Sequence, residues 1–186
     1  MCPIPLTLHT LGHSHRSLQE LLALLRAAGI QTVVGVRSYP GSRRHPHFSE
    51  ENLRMTLDGG GLVYHWAGRQ LGGQRAGQTV SAHTALSSEA LRAYADHMQT
   101  EIFRKGIQHL IQLAGKAPLA ILCAEQLPQD CHRALIADYL HCLGVSVRHI
   151  IDSNHILAHT LNPLARWKAP YIIYDQPGRG SLKLDS

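Results

Sequence analysis

The chain has 186 residues, 44% hydrophobic and 17% charged, enough for one domain with a sizeable core and short for two. That composition excludes a disordered tail, a collagen-like repeat and a low-complexity segment. Eighteen Lys and Arg against thirteen Asp and Glu give a formal charge of +5, and fourteen His add titratable charge below neutral pH, so anionic partners are favoured.

In chain order, residues 6–11 (LTLHTL) read as a first strand, broken by Gly12. A helix opens at Ser17, where Ser17 and Glu20 stand in capping-box spacing; Leu18, Leu21, Leu22, Leu25 and Ala28 repeat at three and four, and Gly29 ends it. Residues 31–36 form a second strand with three valines, followed by a loop with Pro40, Gly41 and Pro46. Ser49, Glu50 and Glu51 start a short helix that Gly59, Gly60 and Gly61 terminate. Residues 62–66 are a third strand, and 67–85, rich in Gly, Gln and Arg, read as loop. A helix is expected over 88–114 with an irregularity at Gly106. Residues 118–123 form a fourth strand, apolar on both faces as a central parallel strand must be. A helix over 129–143 stops at Gly144, and 145–151 supply a fifth strand.

This alternation predicts a single α/β domain: a Rossmann-like, three-layer arrangement with a mostly parallel five-stranded sheet, helices on both faces, a core over 6–151 and a C-terminal extension over 152–186. No apolar run approaches the roughly 20 residues that span a bilayer, and residues 1–10 lack the pattern of a secretory leader. Cys2, Cys123, Cys131 and Cys142 are too few and too unevenly placed for a disulfide scaffold. A cytoplasmic protein without a membrane partner is expected.

Parallel strands point their C-terminal ends to one edge, where ligands of such sheets bind. The residues after the strands are Gly12, His13, Ser14, His15 and Arg16; Arg37, Ser38, Arg43 and Arg44; Gly72 and Gly73; Cys123 and Glu125, with Cys131, His132 and Arg133 at the next helix start; and Asp152 to His155. One pocket is the economical reading.

The motifs GHSxR (12–16), VRSxPxSR (36–43), LGG (71–73) and CAEx5CHRxxIAD (123–138) resemble those of the bacterial domain of unknown function 488 family. The resemblance implies the α/β fold and no particular reaction. An acidic residue usually stands two before the Arg of VRS in that pattern; here the position is Gly35.

Arg37, Arg43, Arg44 and Arg133 suit a phosphate or other multi-oxygen anion, because guanidinium forks bind it bidentately; the alternative is a solvated basic loop. Cys123 and Cys131 admit three readings: a nucleophilic or redox thiol, two ligands of a transition metal completed by His13, His15 or His132, and packing. The C-x7-C spacing is not the C-x2-C of structural zinc sites, and no arginine follows Cys123 at the spacing of a phosphatase loop. Glu125 would point to the same side as Cys123 if the strand continued, either as a general base or nucleophile or as a neutraliser of Arg133 or Arg37. Tyr64, His65 and Trp66 stack a base or belong to the core. No G-x-G-x-x-G turn follows the first strand, so hydride transfer is disfavoured.

The expectation is a hydrolase or group transferase acting on a phosphate-bearing, nucleotide or nucleic-acid-derived substrate, without an obligatory cofactor. Cys123, Glu125 and Cys131 are its candidate catalytic residues. Gly12, His13, Ser14, Arg16, Arg37, Ser38, Arg43, Arg44, Gly72, Gly73, His132 and Arg133 are its candidate binding residues. The alternative is a non-catalytic nucleic-acid-binding protein, or a thiol or metal sensor built on Cys123 and Cys131 with His132.

Overall fold

The computed structural model describes residues 6–39, 41 and 46–176, so Arg43 and Arg44 lie outside the described residues. Strand β1 (Thr7–Gly12) leads into helix α1 (Leu18–Ala27) through the predicted capping box. Ser17 Oγ accepts the Glu20 N–H at 3.2 Å, and the Glu20 carboxylate accepts the Ser17 N–H at 2.6 Å, satisfying two donors of the helix start. Strand β2 (Thr32–Gly35) is followed by α2 (Glu50–Gly59), capped by Ser49, and by strand β3 (Val63–Trp66).

Within the segment expected as loop lies a short helix, α3 (Gly68–Leu71). The helix expected over 88–114 is two helices, α4 (Glu89–His97) and α5 (Glu101–Ala114). The break falls at residues 98–100, where the Thr100 hydroxyl caps α5 by accepting the Phe103 N–H at 3.3 Å. Gly106, the expected irregularity, sits inside α5 against the side chains of Gln70 and Leu71. Strand β4 (Leu119–Cys123) is followed by a 3-10 turn over Pro128–Asp130, so α6 (Arg133–Cys142) starts later than the pattern implied. Strands β5 (Ser146–Ile150) and β6 (Ile156–Ala158) and the antiparallel hairpin of β7 (Ala165–Lys168) and β8 (Tyr171–Tyr174) follow.

The main sheet is six-stranded, in the order β3-β2-β4-β1-β5-β6. The five predicted strands run parallel; the unpredicted β6 pairs antiparallel with β5 at one edge. Successive side chains of a strand face opposite ways. Leu119, Ile121 and Cys123 of β4 therefore join a core with Tyr94, Phe103, Ile136 and Leu140 from α4, α5 and α6. Ala120 and Leu122 join a second core with Leu21, Leu25, Leu53 and Leu57 from α1 and α2. Helices thus cover both faces, and the chemistry-bearing Cys123 points toward the α6 side.

The segment after β5 packs against the core through Ile172 and Tyr174, both buried. Asp138 of α6, 1% exposed, accepts from the Tyr174 hydroxyl at 2.9 Å, His159 Nε2 at 3.0 Å and the Asn162 N–H at 2.9 Å. His159 Nδ1 lies 3.0 Å from His149 Nε2, and His149 Nδ1 lies 2.7 Å from the Thr10 hydroxyl. This hydrogen-bonded line joins β1, β5, α6 and β8, and it satisfies a carboxylate whose burial alone would be costly. Among the described residues, no helix is long and apolar enough to cross a membrane.

Candidate functional site

β1 and β4 are neighbours, with Gly12 in register with Cys123. Their exits stay joined beyond the sheet: the His13 N–H donates to the Cys123 carbonyl at 2.9 Å, and the Ser14 N–H to the Ala124 carbonyl at 2.8 Å. A Cβ at position 12 would stand 1.7 Å from the Glu125 carbonyl oxygen and 2.8 Å from Arg133 Nη1, so only glycine permits this approach. On the other side of β4, the Val36 N–H donates to the Leu122 carbonyl at 2.9 Å and brings the exit of β2 alongside. The turn at Pro128–Asp130 then returns the chain, and Cys131 and His132 meet Cys123 as α6 begins.

Cys131 Sγ donates to Cys123 Sγ across 3.2 Å, and His132 Nδ1 lies 3.6 Å from Cys131 Sγ and 3.9 Å from Cys123 Sγ. The three donor atoms lie within 4.8 Å of one another, the only such group of three among the described residues. His132 Nε2 is 3.0 Å from the Val36 carbonyl. That oxygen can only accept, so Nε2 carries a proton and Nδ1 turns its free position to the sulfurs.

The Cys131 hydrogen bond is the chief cause that holds the Cys123 thiol below its usual pKa. The charges of Arg133 and Arg37 and the Ala124 N–H act the same way, against burial. Cys131 is pushed up, as the donor of that bond and by burial beside Cys123. Arg133 is 1% exposed; its Nη2 donates to the Gln126 carbonyl at 2.9 Å, whereas Nε and Nη1 have no hydrogen-bond partner among the described residues. Burial lowers its pKa, and the charges of Cys131, Cys123 and Glu125 oppose that shift.

The sulfur pair lies at a cavity of about 560 Å³ whose wall includes His13, Arg37, Glu125 and His132. Ser14, in the left-handed region at φ 47°, Ser38 and Gly73 also line it. Gly12, Arg16, Gly72 and Arg133 do not line it. Arg16 is tied to the carbonyls of Gly12 and Ile151 and so braces the exits of β1 and β5. Gly72 is packed on Ser38, and Gly73 on the His132 ring. Arg37 donates to the carbonyls of Phe48 at 2.8 Å and Gly41 at 3.0 Å, so its fork also holds the loop after β2. Ser38 Oγ accepts the Gln74 N–H at 2.8 Å.

Glu125 is exposed at the mouth, beyond the end of β4, and no ion pair joins it to Arg133 or Arg37 among the described residues. The expected contribution from every strand end is narrower in fact: residues after β1, β2, β3 and β4 line the cavity, and none after β5 does. Asp152 and His155 pair with each other in an exposed turn away from the cavity. Trp66 donates to the Arg37 carbonyl, and Tyr64 is buried with its hydroxyl 2.3 Å from where a Gly35 Cβ would be, so both serve the core. Sequence reasoning missed Gln74, Ala90 and Leu91 on the cavity wall. Only Gln74 had a signal, its place directly after Gly73; α4 carries no motif.

A family model described as Domain of unknown function DUF488 matches residues 17–140, a span that holds the VRS, LGG and CHR motifs. No curated protein and no solved structure matches the chain.

Proposed function

The chain belongs to the DUF488 family, a domain of unknown function, and on that premise we propose that the cavity is an enzyme active site for hydrolysis or group transfer on an anionic, phosphate-bearing substrate. The observation that carries this reading is the placement of the sulfur pair: Cys123 and Cys131, 5% and 4% exposed, both still line an open cavity large enough for a small ligand. Sulfurs that served packing alone would be walled off on all sides.

In this reading Cys123 and Cys131 stand nearest the reacting bond, with His132 Nδ1 placed to take or return a proton. Glu125, exposed at the mouth, serves the leaving group or the incoming water. Arg37 on the wall and Arg133 behind the sulfurs supply the positive field that favours a nucleotide or nucleic-acid-derived anion. The nucleobase would have to be held by residues other than Tyr64 and Trp66.

The test is turnover of a panel of nucleotides and phosphate esters by the full chain, with Cys123→Ser as the comparison. Turnover that falls at least about 100-fold in Cys123→Ser supports the reading, since removal of a group acting at the reacting bond costs that much or more. Turnover unchanged in Cys123→Ser, or none with any substrate of the panel, overturns it. Orthophosphate should inhibit competitively, and Arg37→Ala should weaken that inhibition.

A further inference from the structure

The separations among the three donors carry information beyond thiol chemistry. They are 3.2 Å between the sulfurs, and 3.9 Å and 3.6 Å from His132 Nδ1 to Cys123 Sγ and Cys131 Sγ. Two thiolates and an imidazole on one tetrahedral ion, with bonds of about 2.3 Å to sulfur and about 2.0–2.1 Å to nitrogen, stand about 3.8 Å apart sulfur to sulfur and about 3.6 Å sulfur to nitrogen. The sulfur–nitrogen pairs already match to within about 0.3 Å, and the sulfurs need to part by about half an ångström.

Two further features fit an ion. A metal-bound imidazole commonly gives its other N–H to a carbonyl, which fixes the ring and its tautomer; His132 does this with Val36 at 3.0 Å. Position 73 lies against the same nitrogen: a Cβ there would come within 2.4 Å of His132 Nδ1, and glycine leaves that space clear. All three donor residues line the cavity.

The geometry points to a binding site for a thiophilic, zinc-class divalent ion held by Cys123, Cys131 and His132, with the fourth coordination position open to the cavity. Two sulfur ligands exclude the hard ions magnesium and calcium. Three protein ligands and one open position distinguish a catalytic from a structural zinc site, and here one ligand ends a strand while two lie between the Pro128–Asp130 turn and the first residue of α6. The binding site stands independently of the active-site reading. Only the use of the fourth position, to polarise a water or a substrate oxygen, rests on that reading.

The test uses the chelator-treated full chain titrated with Co²⁺, followed by Zn²⁺ displacement. The expected result is saturation at one equivalent, with a thiolate-to-cobalt charge-transfer band and the visible bands of tetrahedral Co²⁺. Cys123→Ser and Cys131→Ser should each lose charge-transfer intensity and bind at least about 10-fold more weakly, and Gly73→Ala, which keeps all three ligands, should also bind more weakly. Zn²⁺ should also shield Cys123 and Cys131 of the unaltered chain, and not Cys142, from alkylation read by mass spectrometry. That arm needs no variant to fold. No saturable Co²⁺ binding, or Zn²⁺ that leaves both cysteines open to alkylation, overturns the metal site. Phosphate-ester turnover that is lost in Cys123→Ser yet unaffected by chelation would sustain the active site while removing the ion's part in it; stoichiometric Co²⁺ without turnover would sustain the metal site and remove the active site.

Discussion

His132 Nε2 stands 3.0 Å from the carbonyl oxygen of Val36, the residue directly after β2, and that oxygen can only accept a hydrogen bond. One backbone oxygen thereby decides which imidazole nitrogen faces the two sulfurs.

The first prediction concerns that tautomer. Nitrogen-15 NMR of the metal-free, neutral protein should show the His132 proton on Nε2 and an unprotonated Nδ1. A neutral ring with its proton on Nδ1 would contradict the arrangement, because Nε2 and the Val36 oxygen would then meet as two acceptors.

Gly12→Ala should be severely destabilising. The added Cβ would fall 1.7 Å from the Glu125 carbonyl oxygen, a backbone atom that cannot move without separating the exits of β1 and β4. A loss of about 3 kcal/mol or more in denaturant unfolding is expected. Gly41→Ala, where among the described residues nothing lies within 4 Å of an added Cβ, should change stability little and serves as the comparison.

A side chain at position 35 should conflict with Tyr64. A Cβ there would lie 2.3 Å from the Tyr64 hydroxyl, so Gly35→Ala should cost about 1–3 kcal/mol. Tyr64→Phe, which removes the obstructing oxygen, should recover part of that loss in a double-mutant cycle. Simple additivity of the two changes would show that the hydroxyl is not the obstacle.

Asp138→Asn should weaken the attachment of the C-terminal segment. The carboxylate accepts three hydrogen bonds while 1% exposed, and an amide would present donors to at least one donor already in place. The expected cost is about 2–4 kcal/mol, and that of Tyr174→Phe about 1–2 kcal/mol, both read from urea unfolding. Hydrogen exchange should quicken first in β7 and β8.

Stability should fall on mild acidification because of His149. Burial, chiefly, with the neighbouring His159 and Arg133, lowers its pKa from 6.5 to about 4. Between those values the unfolded chain takes up a proton that the folded chain refuses, so stability is retained above pH 6.5 and lost as pH falls toward 4. Melting temperature measured across this window should drop, and His149→Gln should flatten the dependence. A melting temperature independent of pH there would refute the assignment.

Local signals carried much of the fold. The Ser17 and Glu20 box, the apolar run of β4 and the glycines ending helices act within a few residues, and each appears where the spacing placed it. β6 escaped because three exposed residues have no apolar alternation to read, and the break between α4 and α5 escaped because a Thr cap in mid-pattern looks like one more polar position.

By itself the sequence determined the parallel α/β layout and the gathering of Cys123, Cys131, His132 and Arg37 at one sheet edge, since strand direction alone sends every strand exit there. Only the tertiary structure decided which of these share a cavity and which brace it. The placement of β4 between β1 and β2 sets the sulfur separation, the Val36 contact and the burial of Arg133, and these depend on distances between segments that are remote in the chain. Arg16 shows the same limit: a guanidinium after a strand reads as an anion ligand, until the fold ties it to backbone carbonyls away from the cavity.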